Sequence, residues 1–396
     1  MTNLTESAES MIFDHNDPSV PSDEVRAQYA ELVAKCPVAH SDQHGGFDVL
    51  SGYGVARETA TDGSAFISGD GVLIPASGLP RIPALEYDGE EHLIWRGLLE
   101  ELVTPEAVRG LEPLITEIVN AQIDTFAGQG TADLAAVFAE PIPAIVIGGL
   151  VGLNAEESLR SRELATAAFG AIGTDTFLEQ MTAFQDYTLE RLEERRAAPR
   201  NDFLSELATG HYKGLRIDDD TAMQIFVALL MGGHHSTAAG ISGLVRDALQ
   251  DDQTRDSLAG NPKAITRAME ESLRLTTPLQ LFARTAVERC TVGGVDIEQG
   301  NRVLINYAAA NRDPEEFDNP DEFDPSRRRN RHLAFGAGPH RCVGQHLARA
   351  EMRIALHELL RRLPDVHLDG PVQTSGLIGG VLMTTVSLPV AFTPED

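Results

Sequence analysis

Near the C-terminus one cysteine, Cys342, sits in the run Phe335-Gly336-Ala337-Gly338-Pro339-His340-Arg341-Cys342-Val343-Gly344. A helix-forming stretch follows directly, so the spacing predicts a thiolate near a helix N-terminus, where free backbone N–H groups and the positive end of the helix dipole stabilise negative sulfur. The glycines around it let the backbone turn tightly and let a flat, bulky group come close. A single soft thiolate presented this way suits an iron porphyrin, whose iron such a ligand enriches in electron density for O–O cleavage. A lone cysteine in a glycine-rich loop would more often be an inert buried side chain; the complete run carries the porphyrin reading.

That run resembles the haem-binding loop of the cytochrome P450 family, Phe-Gly-x-Gly-x-His-x-Cys-x-Gly, without departure. The resemblance implies a mainly α cytochrome P450 fold, one large helical domain with a minor β region over residues 1–396, of which 1–20 are expected to be loosely ordered. It implies haem b, with Cys342 as the axial ligand of the iron and Phe335, Gly336, His340 and Gly344 against the macrocycle. Glu271-Ser272-Leu273-Arg274 matches the family's Glu-x-x-Arg, whose members share a helical face three residues apart. Phe323-Asp324-Pro325-Ser326-Arg327 resembles the segment whose arginine completes a Glu-Arg-Arg network in relatives. Glu271, Arg274 and Arg327 are therefore expected to form a structural network under the haem.

Two haem propionates need cations or donors. His92 and Arg96 lie four residues apart, Trp95 carries an indole N–H, Arg284 follows Pro278 at the place where relatives bind a propionate, and His340 precedes the cysteine by two. Arginine's planar fork fits a carboxylate best. The informative departure is Met231-Gly232-Gly233-His234-His235-Ser236-Thr237. Relatives have (Ala/Gly)-Gly-x-(Asp/Glu)-Thr-(Thr/Ser) here, in a helix kinked above the iron, and use the acid and alcohol to organise protons. Aligned residue by residue, His235 takes the acid position and Ser236 the alcohol position, with Thr237 beside them; two glycines permit the opening. An imidazole titrating near neutrality could relay protons, could turn into a structural ion pair, or could leave the protein to use peroxide.

By resemblance the substrate would meet Leu73, Ile74 and Ile82 from one loop. Phe169, with Ile172, Phe177 and Phe184, would form a mobile roof. Ala228, Met231 and Gly232 would come from the long helix, Leu279, Gln280 and Leu281 from the stretch after Pro278, and Ile378, Val381 and Leu382 from a late hairpin. Nearly all are apolar, so burying a small hydrophobic molecule would drive binding, and Gln280 is the polar candidate for orienting it.

Helical periodicity positions these groups. Apolar spacing predicts helices over Leu111 to Phe126 (Pro113 near its start), Phe138 to Leu153, Phe177 to Arg196, Asp218 to Gln250, Pro262 to Leu275 and Gly344 to Leu363. Short strands are expected at Phe47 to Leu50, Arg284 to Val295, Arg302 to Asn306 and Val386 to Phe392, with a hairpin turn at Gly293-Gly294, while Asn311 to Asn330 reads as a long ordered loop.

Sixty acidic residues against thirty-two basic ones, a formal charge of −28, exclude nucleic acid and anionic membranes as partners. The longest apolar stretch, Ile142 to Leu153, is too short for a bilayer, no leader is visible at the N-terminus, and three cysteines without ligand spacing fit a reducing compartment, so a cytoplasmic enzyme is expected. Around the cysteine loop the basic residues crowd: Arg327, Arg328, Arg329, Arg331, Arg341, Arg349 and Arg353 could dock a small acidic protein. The resemblance implies a haem-thiolate monooxygenase that inserts one oxygen atom of O2 into a small hydrophobic substrate, by hydroxylation or oxidative O-demethylation, fed by a ferredoxin-type iron–sulfur donor and its reductase. A peroxide-using peroxygenase and a non-catalytic haem-binding sensor are the other readings.

Overall fold

The computed structural model of the protein describes residues 13–17, 19–212 and 215–395. Of the segment expected to be loosely ordered, residues 1–12 and 18 lie outside the described residues; within the rest, Phe13 and His15 are buried. The chain forms two compact units, each assembled from separated stretches: Met1–Trp95 with Glu270–Val343 and Ser375–Met383, and Arg96–Met269 with Gly344–Thr374 and Thr384–Asp396.

The first unit is organised by a five-stranded sheet in the order Val38–Ser41, Phe47–Leu50, Arg302–Asn306, Leu281–Ala286, Phe66–Ile67. Phe47–Leu50 and Arg302–Asn306 run parallel and the other neighbours antiparallel. These two strands have the expected bounds because apolar β-branched runs end there at turn residues. The expected strand from Arg284 to Val295 is instead the end of Leu281–Ala286 followed by a hairpin, Cys290–Val292 with Val295–Ile297. Its two-residue turn has φ of 56° at Gly293 and 86° at Gly294, the positive values that match the twist of a tight hairpin. Leu50, Phe66, Val303, Ile305 and Tyr307 bury the sheet under Ala56 and Ala60 of helix Tyr53–Thr61.

The second unit is helical. Asp219–Ala248, thirty residues long, packs against Pro141–Val151, Ala155–Gly170, Phe177–Ala197 and Gln345–Arg362. It starts where the Asp218 carboxylate accepts from Thr221 N at 2.8 Å, an N-cap worth about 1 kcal/mol. Met352, Leu356, Leu359 and Leu363 are all buried, as their spacing predicts.

Three more element readings are corrected. The helix expected from Leu111 is Pro105–Asp124: Thr104 caps it, with Oγ1 accepting from Ala107 N at 3.1 Å, and Pro105 opens it, so Pro113 lies in its interior. The helix expected from Phe138 is a π-turn, Ala135–Ala139, followed by Pro141–Val151, because proline cannot donate the bond that would join them. Val386 to Phe392 divides into Thr385–Ser387, paired with Gln373–Thr374, and Pro389–Ala391, paired with His367–Leu368 and Thr131–Asp133. Among the described residues no single helix is long and apolar enough to cross a membrane.

Candidate active site

The thiol loop belongs to the first unit. Gly336 and Gly338 both have φ of 68°, and a Cβ at Gly338 would overlap the backbone of Ala60 and Thr61. Glycine is required there by backbone hand and by close approach together. Gly336 N donates to Leu333 O and Cys342 N to Phe335 O, each at 2.8 Å, so the loop closes on itself and presents Cys342 as an exposed thiol two residues before Gly344, the N-cap of Gln345–Arg362. Gly344 has an ordinary φ of −77°, so the turn draws no conformational freedom from it.

The same unit holds candidate carboxylate-binding groups. Arg284 is 3% exposed; its Nη1 donates to Ala283 O at 2.7 Å, and it has no acidic partner among the described residues. A buried guanidinium lacking a counter-charge costs several kcal/mol, so the position is built for an anion. Trp95 Nε1 is buried without a hydrogen-bond partner among the described residues. His92 is buried with its ring centroid 4.3 Å from that of His340. His340 is committed elsewhere on one side: its Nε2 lies 3.2 Å from Asp88 Oδ1, while Nδ1 is buried without a partner. Burial would raise the Asp88 carboxyl, but the hydrogen bond from His340 and the N–H groups of Ser68 and Gly69 outweigh it and hold its pKa below the usual range. His340 therefore donates to Asp88 and can donate to a second carboxylate only when doubly protonated. Arg96, in the second unit, has its Nε on Glu100 at 2.7 Å, so an anion would share it with that carboxylate.

Glu271, Arg274 and Arg327 lie together in the first unit. Glu271 and Arg274 are completely buried; Arg274 Nε and Nη2 reach the two Glu271 oxygens at 3.0 and 2.8 Å, and Arg327 Nε reaches them at 3.1 and 3.0 Å. Arg274 also donates to the carbonyls of Asn311, Pro320 and Glu322, which ties down the long loop after residue 311. Asn330, with Nδ2 at 3.0 Å from Glu271, and Asp324 N at 3.1 Å complete the shell and were not foreseen.

In the second unit Gly232 and Gly233 lie inside the continuous helix Asp219–Ala248. The glycine at 233 has a packing reason: a Cβ there would come 2.7 Å from Ile147 Cγ1. His235 does not titrate near neutrality. Burial pushes its pKa down to about 4, its Nε2 contacts Thr166 Oγ1 at 3.2 Å, and its ring stacks on Phe169 at 5.0 Å. His234, 3% exposed, has neither ring nitrogen hydrogen-bonded among the described residues; burial, then His235 and Arg162, hold it well below the ordinary histidine range. Ser236 Oγ donates to Gly232 O at 3.3 Å, and Thr237 is buried.

The segments expected to meet substrate are mostly apolar and half-buried or buried in their own units. Two readings change. Gln280 spends both amide hydrogens on the carbonyls of Thr276 and Thr277, at 3.0 and 2.6 Å, so it holds the chain and cannot donate to a ligand. Phe184 is fully buried core and no part of a mobile roof. The loop carrying Leu73, Ile74 and Ile82 is pinned by residues that no motif announces. Glu86 accepts from Val72 N and Ile82 N, and Arg302 donates to the carbonyls of Asp70, Gly71 and Leu73.

A sequence model of the family Cytochrome P450 matches residues 248–383. Nocardicin C N-oxygenase of Nocardia uniformis subsp. tsuyamanensis is 35% identical over 78% of this chain and 79% of its own length, and cytochrome P450-terp of a Pseudomonas species is 32% identical over 77% and 75%. The chain belongs to the cytochrome P450 family. A steroid C26-monooxygenase of Mycobacterium tuberculosis is 29% identical over 94% of this P450 and 95% of its own length. The crystal structure of a P450 from Novosphingobium aromaticivorans superposes with a TM-score of 0.85 at 27% identity, covering 94% of this chain and 95% of that one. This P450 thus has the mainly α fold of its family, takes haem b, and is a monooxygenase rather than a non-catalytic sensor. The residues present fit that cofactor: an exposed soft thiol in a glycine-built loop and, among the described residues, a buried guanidinium at Arg284 without an acidic partner and an indole N–H at Trp95 without an acceptor.

Proposed function

We propose that this P450 inserts one oxygen atom of O2 into a small hydrophobic substrate, by hydroxylation or oxidative O-demethylation, with electrons from a ferredoxin-type iron–sulfur protein and its reductase. The observation that carries it is the Cys342 loop, whose thiol stands exposed above a turn that only glycines at 336 and 338 allow. Cys342 would bind the iron as thiolate. Arg284 and Trp95 would hold the propionates, assisted by His92, His340 and Arg96. When bound, the haem supplies the redox chemistry that activates oxygen. Phe335, Gly336 and Gly344 would shape the loop against it. Ser236 and Thr237 supply hydroxyls that can hold and pass protons, while neutral His235 holds the helix against Thr166 and Phe169. Apolar Leu73, Ile74, Ile82, Phe169, Ala228, Met231, Leu279, Leu281, Ile378, Val381 and Leu382, with Gly232, would contact substrate. Three cysteines, none in a disulfide among the described residues, fit a cytoplasmic setting.

One observation favours a second reading, peroxide as oxidant: the imidazole at the acid position is neutral and packed on Phe169, so it offers no ready proton. The test has two stages. Reduced protein under carbon monoxide should show the red-shifted band of sulfur-bound ferrous haem, and Cys342→Ser should lose it; the same band in the variant would remove Cys342 from the iron. Apolar compounds that shift the Soret band are then turned over with ferredoxin, reductase and O2, or with peroxide alone. Faster peroxide turnover would select the second reading.

A further inference from the structure

Asn16 is half-buried in the N-terminal segment of the first unit, and its side chain touches two loops that are far apart in sequence. Its Nδ2 donates to the Ile74 carbonyl at 2.6 Å. Its Oδ1 lies against Gly380, so closely that a Cβ on that glycine would overlap it and would come 3.0 Å from His15 Cδ2. Gly380, with φ of 72°, forms the tip of the turn in which Ile378 N donates to Leu382 O at 2.8 Å and Leu382 N returns to Ile378 O at 3.0 Å. The loop around Ile74 has its flanks pinned by Glu86 and Arg302, and the Ile74 carbonyl is held by Asn16.

Asn16 is itself anchored. Its backbone N donates to Asp14 Oδ1 at 3.0 Å, and that oxygen pairs with His44 Nε2 at 2.8 Å. Phe13 is buried, with its carbonyl accepting from Ser41 Oγ at 2.9 Å, and the His15 ring meets the Phe47 edge at 5.4 Å. The segment is thus fixed to the edge of the sheet, and one amide side chain transmits that rigidity to both loops.

We infer that Asn16 is a positioning residue for substrate specificity: by clamping the Ile74 carbonyl and the Gly380 turn together it sets the spacing of the two apolar loops. This rests on the reading that Ile74 and Ile378 to Leu382 face the substrate. A donor lost from a hydrogen bond of this kind is worth about a three- to tenfold change in equilibrium.

The test uses the holoenzyme and two nitrogen ligands of haem iron, small imidazole and bulky 4-phenylimidazole, titrated by their Soret shift. Asn16→Ala and Asn16→Asp should weaken the bulky ligand relative to imidazole by about three- to tenfold. The carbon monoxide spectrum and the imidazole affinity should stay as in wild type. Gly380→Ala, which pushes on Asn16 from the other loop, should change the ratio in the same direction. An unchanged ratio in both Asn16 variants overturns the inference, and so does an equal loss for both ligands, which would mark a merely structural residue. Absence of the sulfur-bound carbon monoxide band in wild type would instead sink the functional reading itself.

Discussion

His235 shows how one substitution at a mechanistic position changes the physics available. An acid there would be a charge; this imidazole is shielded, stacked on Phe169 and held neutral, with a pKa of about 4 against 6.5 in the unfolded chain. Between those values the unfolded chain takes up a proton that the folded one refuses. Stability therefore falls as pH drops from 6.5 toward 4 and levels off below. The penalty approaches about 3 kcal/mol for a fully shielded ring, and less here because His235 keeps some solvent contact. His15 and His234 shift in the same direction for the same first cause, burial, so a difference against a variant is needed. Urea or thermal unfolding of His235→Phe should show a shallower loss of stability across this window than wild type. Turnover of wild type should show no limb near neutral pH assignable to this ring. Superimposable stability curves would mean that His235 is already solvated and free to titrate.

At the scale of the helix, the two adjacent glycines make opposite predictions. Gly232 faces open space, so Gly232→Ala should stabilise by about 0.5–1 kcal/mol through backbone entropy alone. Gly233→Ala drives a methyl into Ile147 and should cost about 1–3 kcal/mol, offset in part by the same entropy gain. Denaturant melts of the two variants check the signs, and destabilisation at both would restore the idea that this turn must open. The sequence showed glycines but not what stood across from them. What was legible depended on short-range pattern: the thiol loop, the Glu271–Arg274 spacing and the strands Phe47–Leu50 and Arg302–Asn306 are each written within a few residues. What was illegible depends on partners remote in the chain. Asp88 meets His340, Arg302 holds Leu73 and Asn16 holds Ile74 across dozens to hundreds of residues, and no local period encodes such pairs. Helix starts failed for a different reason: the Thr104 cap and Pro105 outweigh an interior proline whose cost the packed helix absorbs.

For the molecule as a whole, a formal charge of −28 means that any acidic electron donor approaches against a repulsive field, so local positive groups decide where it can settle. The run Arg327 to Arg331 holds two kinds of arginine. Arg327 is only 10% exposed and bonded to buried Glu271, so its charge is spent inside the fold. Arg328, Arg329 and Arg331 are exposed, and Arg329 has only a loose contact with Glu316 at 3.8 Å. Reversing Arg328, Arg329 and Arg331 to Glu should slow reduction of the ferric protein by an acidic ferredoxin by about an order of magnitude at low salt, with the carbon monoxide spectrum intact. Raising ionic strength should erase most of the difference, because exposed charges farther apart than about 8–10 Å are screened. Arg327→Glu should behave in another way altogether. It sets a second carboxylate against Glu271 and leaves Arg274 to balance both, a buried imbalance worth about 3–5 kcal/mol, so folding and haem retention fail at every salt concentration. Stopped-flow reduction under carbon monoxide separates the two. A triple reversal that leaves the rate and its salt dependence unchanged would move the donor's landing site away from this loop, and a well-folded Arg327→Glu would show that the network tolerates an unpaired charge its burial forbids.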